Sequence, residues 1–148
     1  MGNNSFLTKS YESRTLTQPR ICLFSMRNLQ RAVFRCISYE FEDVVCQVDD
    51  VELFAPKPHS WYVAGRKVAN QLARHLNLTY FNPGIKKIQL KKDYDIFFAW
   101  CQFLHDLPAL NTLEGWKNRC RISVCLLSEV WATKLHRWKG HLKNLVRI

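Results

Sequence analysis

Tyr94-Asp95-Ile96-Phe97-Phe98-Ala99-Trp100 is a near-continuous apolar run of strand length. A half-buried strand alternates apolar and polar residues, so a run apolar at both parities calls for cover on both faces. Ile21-Cys22-Leu23-Phe24-Ser25-Met26 and Ile122-Ser123-Val124-Cys125-Leu126-Leu127 have the same character, and a stretch of helical period follows each of the three. Together they predict strands buried on both sides in a parallel sheet flanked by helices. Ligands of such sheets sit beyond the carboxyl ends of the strands. Function is therefore sought at Arg27-Asn28, Cys101 to Asp106 and Ser128 to Trp131.

The rest of the chain completes an α/β order. Arg20 to Met26 reads as the first strand. Leu29 to Val45 reads as a helix, with Leu29, Val33, Ile37 and Phe41, and Cys36 beside them, as its apolar stripe. Val51 to Ala55 alternates and is stopped by Pro56 and Pro58. Trp61 to Leu76 is a second helix, with Val68, Leu72, Ala73 and Leu76 on one face. Asn82-Pro83-Gly84 signals a turn. Ile88 and Leu90 suggest a short edge strand blunted by lysines. A third helix is expected from Pro108 to about Asn118, with Asp106 near its positive end. A fourth runs from Val130 to about Val146, with Ser128 as its N-cap and Trp131, Leu135, Trp138, Leu142 and Leu145 along one side. The sum is a doubly wound, mostly parallel α/β sheet with helices on both faces. Polar residues 1–19 read as a flexible leader, and 20–148 as one domain.

The net charge of +10 favours anionic partners. Residues 132–148 carry Lys134, Arg137, Lys139, Lys143 and Arg147 without an acid, and Lys86, Lys87, Lys91 and Lys92 form a second basic cluster. Glu40, Glu42, Asp43, Asp49, Asp50 and Glu52 form an acidic one. Each cluster is read first as a solvated face. No apolar run is long enough to span a bilayer, and the amino terminus lacks the apolar core of a signal peptide. Of the six cysteines, none forms C-x-x-C or shares a zinc-ligand spacing with a histidine, so no metal is expected. All six are read as reduced and structural, which fits a cytoplasmic chain.

The first strand-to-helix turn, Phe24 to Leu29, has no glycine, and no G-x-x-x-x-G-K-[ST] loop occurs anywhere, so no nucleotide cofactor is expected. Arg27 and Asn28 would meet a polar ligand at a helix N-terminus, with Asn28 as a plain cap the alternative. Gln102, His105 and Asp106 follow the strongest strand. His105 beside a carboxylate is a candidate acid/base pair, against an exposed loop histidine and a capping aspartate. Glu129 would accept hydrogen bonds from hydroxyls and Trp131 would stack on a sugar; the alternatives are dipole compensation and core packing. No Ser-His-Asp set and no pair of carboxylates placed for double acid/base work is found.

Ile21-Cys22-Leu23-Phe24-Ser25-Met26-Arg27-Asn28, Gln47-Val48-Asp49-Asp50-Val51-Glu52-Leu53-Phe54-Ala55-Pro56, Asp93-Tyr94-Asp95-Ile96-Phe97-Phe98-Ala99 and Ser128-Glu129-Val130-Trp131 together resemble the amino-terminal half of bacterial glycosyltransferases of GT-B architecture. The likeness is to the group-one type found in cyanobacteria and spans about residues 20–145. It implies a Rossmann-like acceptor-side domain, with the donor-binding domain and its Glu-x₇-Glu motif having no counterpart here. The implied reaction is hexosyl transfer from a nucleotide-sugar to an acceptor hydroxyl, with this half inactive alone. Arg27, Asn28, Gln102, Glu129 and Trp131 are then the acceptor-binding candidates and His105 the catalytic one. The implied partners are a saccharide or lipid-linked acceptor, a nucleotide-sugar only if a second domain is supplied, and an anionic inner-membrane face through the basic clusters. The alternative is a non-enzymatic basic module for nucleic acid or anionic membrane. It is weakened by tryptophans at core spacing rather than on a basic face, so no specific nucleic acid is expected.

Overall fold

The computed structural model describes residues 18–29, 36–48, 50–76, 81–129, 139 and 142–143. The expected leader lies outside them except for its last two residues, as does most of the expected carboxy-terminal helix, including Trp131. In chain order the elements are β1 (Ile21–Phe24), α1 (Cys36–Val48), β2 (Val51–Phe54), α2 (Tyr62–His75), β3 (Ile88–Gln89) and β4 (Tyr94–Phe103). A 3₁₀ turn (Leu104–Asp106), α3 (Leu107–Leu110), β5 (Leu113–Glu114), α4 (Trp116–Arg119) and β6 (Cys120–Glu129) follow.

The main sheet has four strands in the order β2-β1-β4-β6, every neighbouring pair parallel. The mixed α/β class with a mostly parallel, Rossmann-like sheet is therefore the one expected. β1 lies in register with both neighbours: Cys22 faces Glu52 and Phe97, and Phe24 faces Phe54 and Ala99. Strand residues alternate sides. Cys22, Phe24, Phe97, Ala99 and Cys101 thus share one face, and they join the main core with Tyr62 of α2, Ile85, Leu107, Leu110, Leu113 and Trp116. Phe97 and Trp116 stack with centroids 4.4 Å apart. The opposite face is covered by α1, whose Phe41 lies 5.7 Å from Phe98 and 5.3 Å, edge-on, from Trp100.

The helices differ from the expected stripes. On α1 the buried residues, among those whose side chains are described, are Ser38 and Glu42, while Ile37 is 71% exposed and Phe41 half-covered. Leu29 is buried but precedes the helix, in a turn, and Val33 lies outside the described residues. An internal ion pair, described below, draws the polar side of α1 inward. On α2 the inward positions are Tyr62, Gly65 and Ala69, while Val68 and Leu76 face solvent. Small residues are needed there because a Cβ on Gly65 would stand 2.5 Å from the Pro83 carbonyl oxygen. The Asn82-Pro83-Gly84 turn forms as expected. Asn82 Oδ1 accepts from the Gly84 and Ile85 amides at 2.9 and 2.8 Å, and Gly84 takes φ +92°.

The third helix is broken rather than continuous. Residues 107–110, Thr112, Leu113 and Trp116 are all buried, which leaves no polar face for a surface helix. The Thr112 hydroxyl donates to the Ala109 carbonyl at 2.6 Å, and Gly115 at φ +89° turns the chain. Ile88 does not join the main sheet. β3 pairs in parallel with β5 in a separate two-stranded sheet, and the Leu90 amide bonds Glu114 O at 3.0 Å.

β6 corrects the reading of its apolar run. It lies at the sheet edge, and Ile122, Val124 and Leu126 are 47%, 40% and 43% exposed. α1 rests over β4 and, among the described residues, reaches that side of β6 at the strand's carboxyl end, where Ile37 and Ser38 approach Ser128 and Glu129. Of the cysteines, Cys22, Cys101 and Cys120 are buried thiols and Cys125 is partly covered, but Cys46 is exposed and not part of the core. Burial pushes the Cys22 thiol far up, with Cys120 beside it adding to the effect. Among the described residues no helix is long and apolar enough to cross a membrane.

Candidate functional site

The chain leaves β1 for β2 on one side and β4 for β6 on the other. Winding therefore reverses between β1 and β4, and their carboxyl ends flank the crevice where open α/β sheets place ligands. Three groups of residues stand at these ends.

Beyond β1, the buried Ser25 hydroxyl donates to Glu42 Oε2 in a short hydrogen bond, and Ser25 Oγ accepts from the Arg27 amide and Nε at 3.2 Å each. Arg27 Nη2 reaches Glu42 Oε2 at 3.0 Å and Asp43 Oδ1 at 2.8 Å. Its guanidinium also lies 5.8 Å from the centre of the Tyr39 ring. Burial pushes the Glu42 carboxyl above its ordinary value, against the hydrogen bonds from Ser25 and Arg27 that pull it down. Burial alone would lower Arg27, but its bonds to Asp43 and Glu42 win and raise it. Arg27 is thus held by two carboxylates. Asn28 Nδ2 donates to the Ala55 carbonyl at 2.7 Å, tying the end of β1 to the end of β2; the residues that a cap at Asn28 would serve lie outside the described residues.

The acidic cluster is correspondingly not one solvated face. Glu42 is buried in this network. Glu52 accepts from the Tyr94 hydroxyl at 2.7 Å and pairs with Lys92 at 3.2 Å. The Tyr94 hydrogen bond, more than Lys92, holds the Glu52 carboxyl below its ordinary range despite slight burial. In the second basic cluster, Lys87 is also paired, with Glu114 at 2.7 Å.

Just beyond β4, His105 stacks on Phe103 with ring centroids 5.0 Å apart. Its Nε2 is 3.7 Å from Asp106 Oδ1, an ion-pair separation longer than a hydrogen bond. Asp106 is buried and its Oδ2 accepts from the Phe103 amide at 3.0 Å. The carboxylate that sequence placed beside His105 therefore also fixes the strand-to-turn junction.

Between the ends of β4 and β6, under the start of α1, lies a cavity of about 180 Å³ lined by Ile37, Ser38, Trp100, Gln102, Ser128 and Glu129. Gln102 Nε2 donates to Glu129 Oε1 at 2.9 Å, and Trp100 Nε1 donates to Ser128 Oγ at 2.7 Å. Two of the expected residues, Gln102 and Glu129, are thus brought together. Arg27, Asn28 and His105 do not line this cavity, and Trp131 lies outside the described residues. Trp100 and Ser38 were not singled out from sequence. Trp100 stands two positions before Gln102 on one strand, so the period-two rule alone would have placed both on one face. Nothing local marks Ser38, which α1 carries in from the far side of a segment outside the described residues.

The cavity is smaller than the roughly 300–1,000 Å³ of ordinary ligand pockets, which suits a single ring rather than a dinucleotide. Among the described residues, no three His, Cys, Asp or Glu side chains converge as for a metal ion. No protein-family model, curated protein or solved structure matches the chain.

Proposed function

We propose that this domain binds the hydroxyl groups of a saccharide at the carboxyl ends of β4 and β6, as the acceptor-side part of a glycosyl-transferring system. The observation that carries the reading is the convergence of Gln102, Ser128 and Glu129 beside the Trp100 ring around one cavity. A sugar ring presents polar edges and apolar faces. Glu129 accepts from hydroxyls, Gln102 both donates and accepts, and an indole supplies the apolar surface. Because the polar groups are already oriented by the Gln102–Glu129 and Trp100–Ser128 bonds, a ligand meets a preformed set rather than freely rotating side chains.

In such a system the acceptor hydroxyl attacks the anomeric carbon of a nucleotide-sugar and gives up its proton. His105 does not line the cavity, so the proton acceptor, like the electrostatic stabilisation of the departing diphosphate, falls to groups outside it. The glycine-free turn after β1, with Arg27 already held by Glu42 and Asp43, supports a chain that does not hold the diphosphate itself.

Titration calorimetry or saturation-transfer NMR with a panel of mono- and disaccharides tests the reading. Binding insensitive to salt is expected, and Glu129→Gln and Gln102→Ala should each weaken it by about tenfold, the equivalent of roughly 1.4 kcal/mol. UDP- or GDP-sugars should give no signal beyond that of their sugar. Absence of saccharide binding across the panel, or affinity untouched by both substitutions, overturns it.

A further inference from the structure

The two edges of the sheet are built differently. β2 is only four residues long, carries Glu52 and is closed off by Pro56 and Pro58, the usual protections against edge pairing. β6 is ten residues long and has no lysine, proline or glycine. Residues 122–128, Ile-Ser-Val-Cys-Leu-Leu-Ser, carry no charge at all. One side of β6 is hydrogen-bonded to β4, and among the described residues no strand occupies the other. Ile122, Val124 and Leu126 stand out from this strand, exposed. An edge so long, apolar and unguarded is a template for pairing.

We infer that β6 pairs with β6 of a second copy of this chain, antiparallel about a two-fold axis at Cys125. The two charges of the strand, Arg121 and Glu129, select both the occupant and the register. They lie symmetrically about Cys125, four residues to either side. In antiparallel pairing centred there, each Arg121 stands opposite the other copy's Glu129, twice over by symmetry. The same register sets Val124 against Leu126 and Ile122 against Ser128, so the exposed apolar side chains of the two copies meet on one face. Parallel pairing in register would instead set Arg121 beside Arg121 and Glu129 beside Glu129, where like charges oppose pairing. A two-fold contact closes on itself, giving a dimer with one eight-stranded sheet rather than a filament. It also brings an arginine of the second copy next to Glu129, at the rim of the cavity described above. The inference does not rest on saccharide binding.

Sedimentation equilibrium or light scattering of the full chain tests it. The expected mass is twice 17.5 kDa. Val124→Lys puts a charge into the apolar centre and should halve the mass. Arg121→Glu places acid against acid at both ends and should weaken the dimer by tenfold or more. The doubly exchanged chain, Arg121→Glu with Glu129→Arg, restores both opposite-charge pairs and should recover the dimer. Circular dichroism melts confirm that each variant is folded, and the recovery separates pairing from misfolding. A monomeric wild type throughout the concentration range overturns the inference. So do a double exchange no better than the single one, and open-ended assembly in place of a dimer.

Discussion

Glu42 concentrates the sharpest energetics of the chain at one residue. Its side chain is 1% exposed and meets Ser25 and the partly buried Arg27, while the exposed Asp43 holds the outer side of the same guanidinium. Removing Glu42 leaves Arg27 with Asp43 and deprives the buried Ser25 hydroxyl of its acceptor. Glu42→Ala should therefore cost about 1–3 kcal/mol in urea denaturation. Asp43→Ala, at an exposed pair, should cost no more than about 1 kcal/mol. Burial also raises the Glu42 carboxyl in the folded state, above the value of about 4.3 expected in the unfolded chain. Between these two values the native state binds the extra proton. This group's contribution to stability is then greatest in acid and is lost as pH rises through the raised value. Glu42→Gln should flatten that part of the stability profile, leaving the contribution of Glu52 in place. A variant profile superimposable on the wild type would show that Glu42 is not the group that titrates there. Sequence placed Glu42 in a solvated acidic cluster, because charge proximity along the chain does not reveal which member a helix turns inward.

Among elements, α2 shows how a helix can be read correctly in extent and wrongly in face. Its boundaries lie within a residue of those expected, since Trp61 to Leu76 has no internal proline and a consistent helical period. The inward face is nonetheless the one with Gly65 and Ala69, not the one with Val68 and Leu76. Close approach to the 82–84 turn decides this. A methyl at Gly65 would meet the Pro83 carbonyl oxygen and the Trp61 ring at 2.5 Å, and the carbonyl belongs to the backbone and does not swing away. Gly65→Ala should accordingly destabilise by about 1–3 kcal/mol. Val68→Ala, on the exposed side of the same helix, should stay within about 0.5 kcal/mol apart from any gain in helix propensity. Thermal melts of the two variants side by side check this. β4 is the opposite case, legible from Tyr94 to Trp100 because both of its faces are covered and its run is apolar at both parities, although the strand continues to Phe103, so that Gln102 stands within it rather than beyond it. β6 has a comparable apolar run and a bare side. Composition reports what a strand tolerates, and only its neighbours decide whether it is covered. The Gln102–Glu129 pairing was legible only as two strand ends, each marked by the parallel-sheet rule. Their bond at 2.9 Å needed the β4–β6 register, which no local pattern encodes.

For the whole molecule, the net charge of +10 is offset only locally, by ion pairs at a few of the cations of the described part. Arg20 pairs with Asp50, Arg27 with Glu42 and Asp43, Lys87 with Glu114, Lys92 with Glu52 and Arg119 with Asp93. The sequence 132–148 has five basic residues and no acid within it. A charge-driven contact with a polyanion should therefore depend on that segment and not on the cavity between β4 and β6. If all five cations met phosphates, the affinity for duplex DNA would fall with a log–log salt slope of about −4.5. Neutralising Lys134, Arg137 and Lys139 together with glutamine should flatten that slope by more than half while leaving saccharide binding unchanged. Such contacts lose orders of magnitude between low and physiological salt, so the expected DNA or anionic-vesicle signal is present at low salt and absent at physiological salt. Fluorescence anisotropy with a labelled duplex and vesicle co-sedimentation read the two cases. Tight binding that survives physiological salt, with no saccharide signal, would make the basic segment the functional surface and the cavity a packing defect at a strand end.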